Sequence, residues 1–553
     1  VDFKSLCDVF HIRCCEDNTG ITFIHGENDE EFISYKELHG KALSALSGLQ
    51  KTGLEKGQEL VMQIEDNKTF IIVFWACILG GIIPVPVTVG NNPEHKLKIF
   101  RIWDVLINPF LIISNKTFLS LEKYAVTEGM DEGLKEIKDK TIFIDRLDFD
   151  TESANAEVHE ARPEDIAFIQ FSSGSTGDPK GVVLTHENLT ANITAIIKGG
   201  QYVPGEKSLS WMPLTHDMGL IGFHITPLAA GAHQYLMPTS LFIRRPVLWM
   251  KKVNQHKVAI TSSPNFGYKY FLDLFKPETA SHWDLSGVRL IFNGAEPISY
   301  DLCTRFLKAM SCYGLRENVM FNVYGLAEAC LAVSFPPPGE GIAYMDIDRK
   351  KLAQGQTGGT ADNDNTGDSI RLIDLGYAVE NCSIRVCDEE NNELGENVVG
   401  HIQIFGKNVT RGYYNNKEAT EKAFTHDGWL VTGDLGLIRN GRLIVTGRAK
   451  DIIFVNGQNY YPHDIERVAE DIEGISLGEV AVCGVPGSEA YTESACLFVL
   501  FKKEMKDFIP LAARLKEHIV KKTGIEIKDI IPIKKCPKQQ AEKFKDTNLQ
   551  KDM

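Results

Sequence analysis

The sequence predicts an α/β fold: a large N-terminal domain of two layered α/β subdomains plus a small β-barrel, then a mobile, smaller α+β domain at the C-terminus. Three observations predict it. Helix-length amphipathic stretches alternate with short apolar runs over residues 1–160 and again over 165–335, the pattern of a largely parallel sheet covered by helices. Between residues 369 and 444 the apolar runs shorten and turn residues punctuate them, as in a small barrel or sandwich. Past a charged boundary at Arg448-Ala-Lys-Asp451, helix and strand patterns resume on a smaller scale.

In the first unit, residues 35–52 carry apolar side chains at helical spacing and Gly53 stops them. Residues 59–64 read as a strand, 68–79 as a helix, and 84–88, 110–114 and 141–144 as strands. The apolar run 70–84 is too short to span a bilayer, and Gly80-Gly81 and Pro84 interrupt it, so it reads as a buried helix leading into a strand. The acidic stretch 150–162 is a surface connector. In the second unit, strands are expected at 166–171, 182–184, 207–212, 258–262 and 288–293, and helices at 187–197, 246–256 and 300–313, the last closed by Gly314. Residues 336–370, rich in Gly, Pro, Asp and Asn, read as a mobile loop. The C-terminal region reads as helix 463–472, strands 479–483 and 494–500, and helix 509–522, with a basic, polar end from Lys534.

Composition excludes several functions. A formal net charge of −15 argues against a nucleic-acid surface and against an anionic membrane. No apolar run is long enough for a membrane span, and the N-terminus has no secretory apolar segment. The 12 cysteines form no C-x-x-C. Scattered single cysteines without zinc spacing fit a reducing, cytoplasmic setting.

The stretch Gln170-Phe-Ser-Ser-Gly-Ser-Thr-Gly-Asp-Pro-Lys-Gly181 lies between two strand-like runs. Glycine tolerates the backbone angles that point several N–H groups at one anion, and hydroxyls and a lysine add donors, so the loop reads as a phosphate cradle. It is not the P-loop of nucleotide triphosphatases, because Pro179 and Gly181 break that spacing. Asn293-Gly-Ala-Glu-Pro297 follows a strand, where open α/β sheets place ligands. Asn322-Val-Tyr-Gly-Leu-Ala-Glu-Ala329 offers Tyr324 to stack on a flat ring and Glu328 to hold a hard cation. Asp434, closing Gly428-Trp-Leu-Val-Thr-Gly-Asp434, suits a ribose diol. Taken singly, each is also a residue that a turn or a helix start uses.

Together, and in this order from about residue 20 to 543, these stretches resemble the adenylate-forming superfamily of acyl-CoA synthetases, luciferases, peptide-synthetase adenylation domains and fatty acyl-AMP ligases. The resemblance implies that ATP and Mg²⁺ are the cofactors. Ser172, Ser173, Gly174, Ser175, Thr176, Gly177 and Lys180 would hold the β- and γ-phosphates, with Thr176 also catalytic. Asn293, Gly294, Ala295 and Glu296 would lie along the adenine, and Asn322, Tyr324 and Gly325 would complete its site, Tyr324 by stacking. Glu328 would be the metal ligand. Asp434 would take the ribose hydroxyls and Arg448 the ribose or phosphate. Lys450 would be the hinge between a domain of residues 1–448 and one of residues 449–553.

Within the superfamily the fatty acyl-AMP ligases are most similar. Trp211-Met-Pro-Leu-Thr-His-Asp-Met-Gly-Leu-Ile221, Tyr324-Gly-Leu-Ala-Glu-Ala-Cys-Leu331 and Asn459-Tyr-Tyr-Pro-His-Asp-Ile-Glu466 resemble that branch's motifs, and an insertion falls at about 336–370. The resemblance implies activation of a carboxylic, in particular fatty, acid to acyl-AMP. Transfer to the phosphopantetheine thiol of an acyl carrier protein would follow, with the insertion restraining the small domain against free coenzyme A. His216, Asp217, Met218 and Gly219 would line the acyl site.

One motif departs from the family. Its closing P-K-T-x-x-G-K is here Pro537-Lys-Gln-Gln-Ala-Glu-Lys543. Lys543 keeps the catalytic position, with Lys538, Lys545 or no lysine at all as the alternatives. Three other readings stay open: an amino-acid-activating domain that uses Asp217 for the substrate amine, an acyl-CoA synthetase, and an adenylate-binding module without chemistry. The chain opens without Met and stops soon after Lys543, which suits a domain of a larger polyketide or peptide synthetase.

Overall fold

The structure, a computed structural model, describes residues 3–15, 18–90, 93–149, 156–172, 179–352, 354–356, 369–455, 458–476, 478–486, 493–535, 537–538 and 541. Its largest sheet has seven strands, in the order Met320–Asn322, Leu290–Asn293, Ile260–Ser262, Lys207–Ser210, His233–Leu236, Gly20–Ile24, Glu30–Ser34. All neighbours are parallel except the last pair. A second, wholly parallel sheet runs Ile83–Pro86, Glu59–Gln63, Phe110–Ile113, Thr141–Phe143. The two-unit expectation thus needs one correction. The N-terminal strands at 20–24 and 30–34 belong to the second unit's sheet, because Gly20–Ile24 pairs with His233–Leu236 some two hundred residues later. Periodicity cannot show such a partner.

The helix Asn67–Gly80 explains itself from both ends. The Asp66 side chain caps it by accepting from Thr69 N, and Gly81 ends it at φ 66°. It is buried from Phe70 to Gly80, apolar on every face, as a helix in the centre of a core must be. Trp75 stacks on Phe10 at 4.3 Å. The apolar stretch that follows Trp211 forms a π-helix, Met218–Ile225, and then a short α-helix, Thr226–Ala230, all buried. His224 anchors the π-helix: Trp75 Nε1 donates to its Nε2 (2.8 Å), and its Nδ1 meets Gln234 Oε1 at 2.9 Å. Burial pushes His224 down to about 4, so the ring is neutral. π-helical turns are rare and concentrate at functional sites.

Strands Cys382–Cys387, Gly400–Gly406, Leu430–Arg439 and Arg442–Arg448 form a four-stranded antiparallel sheet where the small barrel was expected. The C-terminal region has its own core. Strands Val480–Pro486, Glu493–Leu500 and Ile527–Ile533 form its sheet, and Ile465 and Val468 pack with Leu515 and Ile519 from the helices Pro462–Glu470 and Met505–Thr523. Among the described residues no helix is long and apolar enough to cross a membrane.

The expectation of a loop over 336–370 is corrected in part. Tyr344–Asp348 pairs antiparallel with Ser369–Ile373. Met345, Ile347, Ile370 and Leu372 of this hairpin pack with Tyr461 from the C-terminal region. The composition of the segment is loop-like because its apolar partner lies outside it. Arg349, in the turn that follows, grips Asp464 through Nε (2.6 Å) and Nη2 (3.0 Å). Tyr461 Oη also donates to Leu352 O at 3.1 Å. The rest of the loop, 353 and 357–368, lies outside the described residues.

Candidate active site

Polar groups collect at the carboxyl ends of the parallel strands. Asn293 and Asn322 end adjacent strands in register, and Asn293 Nδ2 donates to Asn322 Oδ1 at 3.1 Å. Both are buried, so these amides brace the strand ends. The turn after Asn293 crosses close under Val323: a Cβ on Gly294 would come within 2.9 Å of that side chain. Ala295 is held at φ 70°. Ala295 and Glu296 line a cavity of about 520 Å³, together with Tyr324, Asp434, Arg448 and Lys538. Glu296 accepts from Phe266 N at 2.8 Å. Burial raises its carboxyl above the ordinary range, opposed by that N–H and by Lys538.

Tyr324 Oη donates to Asp434 Oδ2 at 2.6 Å, and Arg448 Nε lies 3.4 Å from Asp434 Oδ1. Register puts Asp434 opposite Arg448 on neighbouring strands. Burial raises the Asp434 carboxyl, while Tyr324 and Arg448 pull it down. A flat tyrosine ring beside a carboxylate and a guanidinium is chemically suited to a nucleoside and its first phosphate.

Gly325 lies where a Cβ would stand 1.8 Å from Leu331 O. That close crossing leads into the 3₁₀ turn Ala327–Ala329, which carries Glu328. Glu328 Oε1 accepts from Tyr413 Oη at 2.9 Å. Among the described residues no group of three or more His, Cys, Asp or Glu is placed to hold a metal. Mg²⁺ needs only one or two protein carboxylates when phosphates supply other oxygens, so a lone Glu328 fits that ion. Strands Ile166–Ser172 and Lys180–Thr185 form a hairpin whose last rung is Ser172 opposite Lys180. Gly181 has no room for a Cβ, which would meet Ile169 and Phe171 at 2.9 Å. Ser173, Gly174, Ser175, Thr176, Gly177 and Lys543 lie outside the described residues.

On the other side, Gln170 Nε2 donates to Thr215 O (2.9 Å), tying the hairpin to the His216-Asp217 turn. Asp217 is buried, caps the π-helix by accepting from Met218 N (2.6 Å), and pairs with His216 Nδ1 at 2.7 Å. Desolvation works against a charged imidazole, but the Asp217 carboxylate outweighs it and raises His216 above its ordinary range. Met218 is buried, and a Cβ on Gly219 would lie 2.2 Å from Pro213 O. Trp211 stacks on Phe242 at 3.7 Å and meets Phe266 edge-on at 5.5 Å. An aromatic wall therefore stands behind the residue that holds Glu296.

Lys450 is exposed in the 3₁₀ turn Ala449–Asp451. Lys538, named as an alternative to Lys543, reaches the cavity from the C-terminal region. Sequence reasoning missed Tyr413 and Phe266. The doubled tyrosine of Arg411-Gly-Tyr-Tyr414 was a legible signal; Phe266 acts through its backbone and gave none.

Comparison with known proteins supplies the family. The model of the family described as AMP-binding enzyme matches residues 13–414. A medium-chain-fatty-acid–[acyl-carrier-protein] ligase of Teredinibacter turnerae is 29% identical over 86% of this chain and 80% of its own. A structure from a study of fatty acyl-adenylate ligases of E. coli and L. pneumophila superposes with a TM-score of 0.89 at 26% identity, covering 100% of this chain and 99% of that one. The structure of McyG A-PCP complexed with phenylalanyl-adenylate gives a TM-score of 0.85 at 29% identity over 100% and 84%. The chain belongs to the AMP-binding enzymes, the adenylate-forming superfamily.

Proposed function

We propose that this protein is a fatty acyl-AMP ligase. It joins a fatty acid to ATP, giving acyl-AMP and pyrophosphate, and passes the acyl group to the phosphopantetheine thiol of an acyl carrier protein. The substrate carboxylate attacks the α-phosphorus, and the bond from that phosphorus to the bridging oxygen of pyrophosphate breaks. The carrier thiolate then attacks the acyl carbonyl and AMP leaves. A carboxylate is ionised at neutral pH, so the first step needs no general base. Catalysis is positioning and charge neutralisation.

In this reading Tyr324 stacks on the adenine, and the segments at Asn293–Glu296 and Asn322–Gly325 surround it. Asp434 accepts from the ribose hydroxyls and Arg448 contacts ribose or phosphate. Ser172 to Gly177, Thr176 among them, and Lys180 hold the β- and γ-phosphates. Lys543, with Lys538 next in line, meets the reacting carboxylate and α-phosphate. Glu328 is the residue that would hold Mg²⁺, and when bound that ion supplies neutralisation of phosphate charge. Residues 449–553 turn about Lys450 against residues 1–448 between the half-reactions, and the Arg349–Asp464 grip resists that turn. The scattered cysteines suit a cytoplasmic setting.

The observation that carries the acyl reading is Asp217. Its carboxylate is buried and already engaged by His216 and Met218 N, which leaves it ill placed to receive a substrate ammonium. ATP–pyrophosphate exchange across a panel of fatty and amino acids tests this. Exchange with medium- or long-chain acids is expected; exchange with amino acids alone would overturn it. Efficient thioester formation with free coenzyme A would make the protein an acyl-CoA synthetase instead.

A further inference from the structure

We propose that Tyr413 is a positioning residue that holds Glu328 and Lys180 on one aromatic ring, close together yet unpaired. The carboxylate is thereby kept ready for Mg²⁺ and the ammonium for phosphate. The inference rests on the roles given to Glu328 and Lys180 in the proposed function. Two contacts motivate it. The Tyr413 phenol donates to Glu328 Oε1 at 2.9 Å. The Lys180 ammonium lies 5.1 Å from the centroid of the same ring. Among the described residues no ion pair joins Glu328 to Lys180, although both face the Tyr413 side chain.

The backbone around Tyr413 is fixed on three sides. Val183 N donates to Gly412 O (3.1 Å) and Tyr414 N to Gly181 O (2.7 Å), so this segment extends the phosphate hairpin. Thr410 N donates to Glu328 O at 2.7 Å, binding the same segment to the Glu328 turn. Tyr413 N itself donates to Thr420 Oγ1 at 2.9 Å. Gly412 makes the geometry possible: its φ is 142°, and a Cβ would lie 2.4 Å from the Thr420 methyl. One short stretch therefore sets the distance between the phosphate hairpin and the metal-holding turn, and Tyr413 fills that distance.

A phenol suits the task. Its O–H orients a carboxylate without cancelling the charge. Its ring face attracts an ammonium without the close approach of an ion pair. With an aliphatic residue at 413 the two opposite charges would be drawn into direct contact. Mg·ATP would then have to break that pair before either group could bind it.

The test is calorimetric binding of a non-hydrolysable α,β-methylene ATP to the full chain across a series of Mg²⁺ concentrations. In Tyr413→Leu the Mg²⁺ needed for half-maximal binding rises about tenfold, and in Tyr413→Phe, which keeps the ring and loses one hydrogen bond, about threefold. In Tyr413→Leu/Lys180→Met the Mg²⁺ requirement returns toward wild type although overall affinity falls, because the competing cation is gone. A shift in Tyr413→Leu that persists undiminished in the double variant would mark a merely structural role and overturn the proposal. If Tyr413→Leu does not fold, an unchanged Mg²⁺ requirement in Tyr413→Phe overturns it. A wild-type protein that binds the analogue but exchanges pyrophosphate with no acid counts against the proposed function, not against Tyr413.

Discussion

The proposed nucleotide side and the proposed acyl side of the candidate site are built in opposite ways. On the nucleotide side, side chains from turns after strand ends meet one another: Tyr324 with Asp434, and Asp434 with Arg448. On the acyl side, a whole π-helix is sunk in the apolar core and held there by His224 and by the Asp217 cap. The first arrangement fixes a few polar atoms; the second fixes a shape. Polar deletions on the nucleotide side should therefore reduce turnover of every acid alike, whereas changes on the acyl side should act through stability and selectivity.

The sharpest way to break this contrast is Asp434→Ala. Two contacts to a charged acceptor are at stake, each contributing about 1.5–3 kcal/mol, so kcat/KM for ATP should fall by at least about 100-fold with every acid. Exchange kinetics with two acids of different length measure it, and a loss confined to one acid would erase the distinction between the sides. Next in size is Arg349→Ala, which leaves Asp464 with only the more exposed Arg467, 3.5 Å away, at the seam with the C-terminal region. Breaking a buried pair costs about 3–5 kcal/mol when the remaining charge is uncompensated, and less here because Arg467 stays beside Asp464. Thioester formation with free coenzyme A should rise while pyrophosphate exchange holds steady; a matching fall in exchange would make the pair structural only.

Tyr324→Phe keeps the ring and removes one hydrogen bond to a charged acceptor, so kcat/KM for ATP should drop about tenfold. The smallest effect belongs to the acyl side. His216 titrates above its ordinary range in the folded protein, so what its pairing with Asp217 contributes is complete below the unfolded value of about 6.5 and fades as pH rises through the folded value. The difference in Tm between wild type and His216→Gln should be largest near pH 6 and close by pH 9. A pH-independent gap would remove the ion pair from the account.

Much of this was legible in the sequence where the signal is local. The helix Asn67–Gly80 announces itself by an Asp cap, an apolar run and a glycine pair. Tyr324, Asp434 and Arg448 each stand out as polar residues in turn contexts. What was not legible depends on distant partners. Strands 20–24 and 30–34 were not anticipated, because their place in the sheet is set by residues near 233. Part of the stretch read as a loop at 336–370 is a hairpin, because Tyr461 supplies the apolar contact that its own composition lacks. Asn293 and Asn322 were singled out for a ligand; that their side chains also bond to each other is a pairing that only strand register reveals.

Two non-glycine residues, Ala295 at φ 70° and Cys330 at φ 62°, sit at the proposed adenine wall and beside the Glu328 turn. A left-handed backbone costs a residue with a Cβ about 1 kcal/mol or more. The proposed nucleotide pocket is thus one place where heat tolerance can be raised, Ala295→Gly being the simplest step there. The same step would hand the new glycine a freedom that ATP must then remove on binding. At this one residue thermal robustness and nucleotide affinity pull in opposite directions.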